Sequence, residues 1–323
     1  RNNQMKHLFL SLLVCLGFAA CQKEMKPVTF AVVSDLHQDI AHDAEERLST
    51  FLRAANDNQV DFIIELGDFC MPKEENKPFL KRWQDYAGEK YMLLGNHDMD
   101  NCSKEEVMQF IGMNNRYYSF DKGDFHFVIL DPNNIYDGEK YIPYENGNYF
   151  GYGEKVSYVD PEQVEWLKKD LQATDKRCII FSHQSFECSS QNREEIRKIF
   201  EDENLRAGYK KVAVAFSGHD HTNYMKEING IAYIQINSAS NQWVGEKYAC
   251  PERFSDEINQ KRPALKYTLP YKDALYGIVT LTGDGMQLKG VKSEFIAPGP
   301  EELGITDRSQ PLVPWIEDLQ LTF

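Results

Sequence analysis

The chain has 323 residues, 42% hydrophobic and 12% aromatic, which is enough to bury a large core and excludes a mainly disordered protein. A formal net charge of −14, with no basic stripe, argues against a general phosphate-backbone binder, so no nucleic-acid duplex is expected as a partner. Seven cysteines without a CxxC pair exclude a zinc ribbon and call for no disulfide framework.

The first feature is MKHLFLSLLVCLGFAAC (5–21), after a four-residue stretch that precedes a plausible start at Met5. A basic pair, a short apolar run and small residues before a cysteine read as a secretion signal, because the run is too short for a comfortable membrane span. Phe18, Ala19, Ala20 and Cys21 resemble a bacterial lipobox, although Leu is more usual where Phe18 stands. The expectation is an exported lipoprotein, periplasmic or on a bacterial cell surface, anchored to the membrane by a lipid on Cys21. An ordinary cleaved signal with an incidental cysteine is the alternative. The expected organisation is a signal over 1–21, a main domain over 27–296 with an insertion at 132–160, and a tail over 297–323.

Five apolar runs then stop on polar residues: VTFAVVSDLH (28–37), DFIIELGD (61–68), YMLLGNHD (91–98), CIIFSHQ (178–184) and VAVAFSGHDH (212–221). Near-continuous Val, Ile, Phe and Leu predict strands buried on both faces, as in α/β sheets. Between the first two, Leu48, Phe51, Leu52 and Ala55 fall on one face of a helix predicted over 43–56. A second helix is predicted over 160–171, with Asp160 as N-cap, Pro161 in the first turn and Gln163 closing a capping box. In open α/β sheets ligands gather beyond the carboxyl ends of the strands, where all five polar endings fall.

Those endings carry Asp35, His37, Asp68, Asn96, His97, Asp98, His183, His219 and His221, a carboxylate, amide and imidazole set suited to borderline divalent metals. One ion would not use so many ligands, whereas two ions about 3.5–4 Å apart and sharing a carboxylate would. Singly, each piece has a plainer reading. Asp68 could be a turn former, His183 a satisfied core histidine and Asp35 a helix cap. Five of the eight histidines nevertheless sit at these strand ends, in order, which favours a metal site. His7, His42 and His126 take the blander readings: His7 in the signal region, His42 on an exposed face or supporting a metal ligand from behind, and His126 on a strand surface.

The series Asp35-x-His37, Gly67-Asp68, Gly95 to Asp98, His183 and Gly218 to His221 resembles the calcineurin-like metallophosphoesterase superfamily over about 28–281. RYYSFDKGDFHFVILD (116–131) and PEQVEWLKKDL (161–171) are similar to its secreted branch near purple acid phosphatases and cyclic-nucleotide phosphodiesterases. The resemblance implies an α/β fold, a four-layer sandwich of two mixed sheets with outer helices. It implies that Asp35, His37 and His221 hold one divalent ion and Asn96, His183 and His219 the other, with Asp68 between them. Mn, Fe or Zn are the candidate metals. It also implies a phosphoesterase acting through a metal-bridging hydroxide, with His97 protonating the leaving oxygen or stabilising the transition state. Met71 stands where many relatives have an acid or Asn and purple acid phosphatases an iron-binding tyrosine. Asp98, with Asp39 as the other possibility, is therefore the expected partner of His97. Cys70, close to Asp68, reads as packing.

The insertion between Asp131 and Asp160 carries six tyrosines, among them Tyr149 and Tyr152. Such rings can hold a base or sugar over metals, or simply pack as a rim. NSASNQWVGEKY (237–248) offers Trp243 as a second wall. Further on, DALYGIVTLTGDGMQLKGV (273–291) predicts a strand pair around a Gly-Asp-Gly turn, and the Pro-rich tail could dock on a sheet edge. Two function classes remain: a dimetal phosphoesterase acting on a small phosphoester, possibly derived from a nucleotide, and a catalytically silent lipoprotein of the same fold that binds metal or glycan. His97 favours the first.

Overall fold

The computed structural model describes residues 25–306 and 311–323. The predicted signal and Cys21 lie outside them. The chain opens with β1 (Val28–Val33), α1 (Ala44–Asp57), β2 (Phe62–Glu65), α2 (Lys77–Gln84), β3 (Glu89–Met92) and α3 (Lys104–Ile111). A hairpin of β4 (Tyr118–Lys122) and β5 (Phe125–Ile129) follows, then a small pair, β6 (Asn134–Tyr136) and β7 (Tyr141–Pro143), inside the insertion. Next come α4 (Pro161–Gln172), β8 (Arg177–Ser182), α5 (Arg193–Ala207), β9 (Val212–Ser217), β10 (Tyr224–Ile228) and β11 (Ile231–Gln235). The remainder is β12 (Asn241–Trp243), α6 (Asp256–Lys261), β13 (Thr268–Pro270), β14 (Gly277–Thr282), β15 (Gly285–Gly290) and β16 (Leu319–Thr322).

Two six-stranded mixed sheets form, ordered β16-β15-β14-β1-β2-β3 and β10-β11-β9-β8-β5-β4. Their facing sides share one core. Phe30 stacks on Phe62 with centroids 4.9 Å apart and meets Phe127, Phe181 and Phe216 edge-on. The alternation explains the unbroken apolar runs: Phe30 and Val32 point between the sheets, whereas Ala31 and Val33 point under α1. On the second sheet Ile179 and Phe181 face inward, and Cys178 and Ile180 lie in the core with Leu167 of α4 and Phe200 of α5. Helix, sheet, sheet and helix thus make the four layers. Truncating Phe30 to Ala would cost about 3–5 kcal/mol from its place in that aromatic cluster.

Two local expectations need revision. Asp160 caps α4 by accepting from Gln163 N at 3.1 Å, but Gln163 does not close the box. Its side chain instead accepts from Asp131 N at 2.7 Å and donates to Asp131 O at 2.9 Å, satisfying the peptide of that buried strand end. His126 is not on the surface: it is buried between Asp121 at 2.6 Å and Asp170 of α4 at 2.9 Å. The tail docks on a sheet edge, as the sequence suggests it could: β16 pairs antiparallel with β15. Gly283 and Asp284 turn β14 into β15 as the pattern predicts, and His42 is exposed beside Phe254. Five free cysteines lie among the described residues, with Cys70 buried in the α1–α2 core.

Candidate metal centre

The carboxyl ends of β1, β2 and β3 and of β8 and β9 converge. The loop after β1 stays zipped to the loop after β2, since His37 N donates to Asp68 O at 2.9 Å and Asp35 N to Gly67 O at 3.1 Å. Ser238 and Ser240 brace it from behind by donating to the Asp35 and Leu36 carbonyls, both at 2.9 Å. These supports hold an unfavourable backbone. Asp35, His37, Asp68, His219 and His221 all have φ between +48° and +69°, a region that costs a non-glycine residue roughly 1–2 kcal/mol. Strain of this kind persists only where the surroundings over-determine it, and five of the nine non-glycine residues with positive φ among the described residues carry metal-type side chains. Gly67 (φ +93°) has no room for a side chain: a Cβ would sit 2.6 Å from Gly95 N and 2.7 Å from His183 Nδ1. Gly95 likewise packs directly on Asp68.

The side chains form two touching clusters. In one, Nε2 of His221 lies 3.2 Å from Asp35 Oδ1 and 3.0 Å from His37 Nε2. In the other, His183 Nε2 lies 3.1 Å from Asp68 Oδ2 and 3.2 Å from Asn96 Oδ1, which is also 2.9 Å from His219 Nδ1. Asp68 reaches both, with its Oδ2 3.8 Å from His37 Nε2. Asp35 Oδ1 reaches both as well, 4.0 Å from His183 Nε2, so two carboxylates are shared where the family pattern implies Asp68 alone.

The donor set fits a cation on its own chemistry. His221 Nδ1 faces the Asn241 carbonyl at 2.6 Å and His183 Nδ1 the Leu66 carbonyl at 2.7 Å. In the neutral tautomer each ring spends its only N–H there and turns the Nε2 lone pair on carboxylate oxygen. Asp35 Oδ1 is buried without a hydrogen-bond donor among the described residues. Acceptors facing acceptors in a buried site require positive charge between them. The His183 imidazole responds to that demand: burial alone would depress its pKa, but Asp68 and Asp35 outweigh burial and raise it to about 10. Asp35 shows the reverse balance, with burial overcome by His221 and His183, which lower it to about 2.

His97 stands at the rim of this group, half-buried, with its backbone N donating to Asp68 Oδ1 at 2.8 Å. Burial works against its protonation, yet Asp68 and Asp100 together raise its pKa to about 9. Its partner is neither Asp98 nor Asp39. Asp98 is buried and accepts from the amides of Asp68, Phe69 and Gly95 at 3.1, 2.9 and 2.8 Å, clamping the loops after β2 and β3 together. Asp39 is occupied by Met71 N, Lys73 and Asn76. The acid at His97 is Asp100, whose Oδ2 lies 2.9 Å from His97 Nδ1.

Tyr149 of the insertion donates to Asp100 Oδ1 at 2.5 Å and lies 3.2 Å from Asn96 Nδ2 and 3.3 Å from His97 Nδ1. Trp243 is also at the site, its ring about equally far from His37, His97 and His221, with centroids 6.0, 5.9 and 6.1 Å apart. Tyr152 is different. It stands out on the rim, and its side chain makes no hydrogen bond or ring contact with a site residue among the described residues, whereas Phe150, 69% exposed, lies 6.2 Å from the His97 ring. Sequence reasoning passes over Asp100 and Phe150. The only available signals are the three-residue spacing of Asp100 from His97 and an apolar ring within NYFGY. Met71 brings no oxygen ligand; its sulfur meets Asn101 Nδ2 at 3.0 Å.

Residues 28–223 match the family model described as calcineurin-like phosphoesterase. The manganese-dependent ADP-ribose/CDP-alcohol diphosphatase of Arabidopsis thaliana is 24% identical over 221 residues, covering 55% of this chain and 70% of that protein. Purple acid phosphatase 23 of the same plant is 29% identical over 137 residues, 39% of this chain and 26% of its own length, so the chain matches about a quarter of that relative. In structure, a dimetal phosphatase from Danio rerio superposes with a TM-score of 0.57 at 16% identity, over 83% of this chain and 98% of that one, which is a likeness of fold. Since the family match spans more than half of the residues and includes all five strand ends of the metal centre, the chain belongs to the calcineurin-like phosphoesterase family.

Proposed function

We propose that this chain is a dimetal phosphoesterase that hydrolyses small phosphoesters, with nucleotide-linked diphosphates and diesters as the first class to test. Asp35, His37 and His221 would hold one ion and Asn96, His183 and His219 the other, with Asp68 between them. Divalent ions held there, Mn, Fe or Zn, would polarise a phosphoryl oxygen and make water nucleophilic near neutral pH. The protein's own part is proton delivery and positioning. His97 keeps its Nδ1 on Asp100 and offers Nε2 to the leaving oxygen, while Tyr149 ties Asp100 to Asn96. Trp243 and Phe150 flank His97 with apolar rings that can stack on a base and displace water.

The observation that carries this reading is the His97–Asp100 pair standing against Asp68. A protein that only held metal or glycan would have no use for an oriented proton donor. The nucleotide preference draws on the substrate class in the name of the Arabidopsis diphosphatase and on the aromatic rim. Export with lipid attachment at Cys21 completes the proposal, motivated by the apolar run and small residues before it.

The test is reconstitution of apo-protein with Mn, Zn, Fe, Ni, Mg or Ca, assayed on p-nitrophenyl phosphate, bis-p-nitrophenyl phosphate and a panel of nucleotides and nucleoside diphosphate conjugates. Metal-dependent turnover is expected. No hydrolysis of any phosphoester by metal-replete protein would favour the silent lipoprotein.

A further inference from the structure

Tyr149 belongs to the insertion, yet its hydroxyl stands among the metal-type and proton-bearing groups. The backbone seats the insertion there. Asn146 N donates to Cys102 O at 2.9 Å and Gly147 N to Met99 O at 3.0 Å, while Glu145 pairs with Ser103 in an antiparallel bridge. Ile135 and Tyr144 share a buried cluster with Leu94, Met99 and Val107, from the chain that runs into and out of His97. The Tyr149 ring packs on Tyr144 and Phe150, with centroids 4.7 and 4.4 Å apart, which holds its hydroxyl in place.

The direction of every hydrogen bond at that hydroxyl follows from one carboxylate. A carboxylate only accepts, so Asp100 takes the Tyr149 hydrogen on Oδ1 at 2.5 Å and the His97 Nδ1 hydrogen on Oδ2 at 2.9 Å. Having given its hydrogen away, the Tyr149 oxygen can only accept from Asn96, at 3.2 Å. Asn96 must therefore turn its NH2 to Tyr149 and its Oδ1 to the metal side, where that oxygen lies 3.2 Å from His183 Nε2 and 2.9 Å from His219 Nδ1. His97 Nδ1, 3.3 Å from the same hydroxyl, stands at its remaining lone pair. A hydroxyl has one donor and two acceptor positions, and the protein occupies all of them.

We infer that Tyr149 is a positioning residue and not a substrate contact: one hydroxyl aims the Asn96 amide oxygen at the metal site and the Asp100 carboxylate at His97. The insertion thereby completes the centre instead of only forming a rim around it. The inference rests on the phosphoesterase reading for what His97 delivers, whereas the aim of Asn96 concerns metal binding alone. Removing the hydroxyl should have two separable consequences, a looser ion beside Asn96, His183 and His219 and a misdirected proton donor.

The experiment compares wild type with Tyr149→Phe, which keeps the ring packing, and with Tyr144→Phe, which removes a hydroxyl of the same cluster whose partner is Ser157 N at 2.7 Å. Manganese affinity is titrated in competition with a chelator, and kcat is measured at saturating manganese on the p-nitrophenyl and ethyl esters of thymidylate. Tyr149→Phe should weaken the second ion by about tenfold or more, as for other residues that orient a metal ligand. It should lower kcat more on the ethyl ester, whose leaving group needs a proton, than on the p-nitrophenyl ester. Combined with Asp100→Ala, its effect on the ethyl ester should shrink, because the hydroxyl acts on His97 through that acid. Tyr144→Phe should leave the affinity and the ratio of the two esters at wild-type values. An unchanged second-ion affinity or an unchanged ester ratio in Tyr149→Phe would overturn the inference. Equal effects in Tyr144→Phe would also overturn it, since both tyrosines would then act by packing. If no ester turns over, the hydrolase reading fails separately and manganese affinity decides: weaker binding by Tyr149→Phe supports the inference, and equal binding refutes it.

Discussion

His97 Nδ1 and Asp100 Oδ2 lie 2.9 Å apart across a single 3₁₀ turn, so the group best placed to deliver a proton is oriented by an acid three residues along the chain. Residues i and i+3 nearly eclipse on such a turn, which puts these two side chains together and sends Asp98 the other way.

Removing that acid should separate positioning from metal binding. Asp100→Ala is expected to keep the metal content of the wild type and lower kcat by about 10–100-fold, as for other groups that orient a reacting residue. The loss should be larger for alkyl or ribosyl leaving groups, which need a proton, than for p-nitrophenolate. An equal loss on both would assign Asp100 an electrostatic role, and unaltered kcat on an alkyl ester would remove it from the mechanism.

The metal loops also depend on a buried ion pair. Lys104 Nζ donates to Asp131 Oδ2 at 2.6 Å and to Asn133 O at 2.8 Å, and Asn133 in turn bonds the Leu94 carbonyl and Gln184 beside the metal strands. Lys104→Met leaves the Asp131 carboxylate with Arg116 at 3.2 Å as its remaining cation. Chemical denaturation should show a loss of about 3 kcal/mol, the lower end for breaking a buried pair. A change below about 1 kcal/mol would mean that Arg116 already neutralises Asp131.

Most of the metal centre is legible in the sequence because each ligand sits at the polar end of an apolar run, and four of the five runs stay apolar because both faces of β1, β2, β8 and β9 are covered; β3 is an edge strand, and only the end of its run, from Met92 to Leu94, is buried. Longer-range relations are less legible. Nothing local to Tyr149 announces that it reaches Asp100, 49 residues away. Asp98 looks like the natural partner of His97 by adjacency, but three backbone amides claim it. Gln163 completes a capping-box pattern in one dimension and serves Asp131 in three. His126 reads as a surface position until Asp170 of α4 is laid across it.

That last placement has a pH signature. Burial opposes protonation of His126, but Asp170 and Asp121 outweigh it and raise its pKa above the ordinary value. A raised histidine stabilises the fold fully below the unfolded pKa of about 6.5, and the contribution fades as pH rises through the folded value. The stability advantage of the wild type over His126→Gln should therefore be greatest near about pH 5.5 and smallest near about pH 9. An advantage that grows with pH would place a neutral imidazole there.

The most direct measurement is metal stoichiometry and turnover taken together on wild type, His97→Asn and Asp68→Asn, each saturated with metal and freed of excess. The wild type should hold two ions per chain and hydrolyse phosphoesters. His97→Asn should keep both ions and lose about 10²–10⁴-fold in turnover on a poor leaving group, because its imidazole is a proton donor and not a ligand. Asp68→Asn should lose metal and activity together. One ion per chain at saturation, or full activity in His97→Asn on every substrate, would contradict the account.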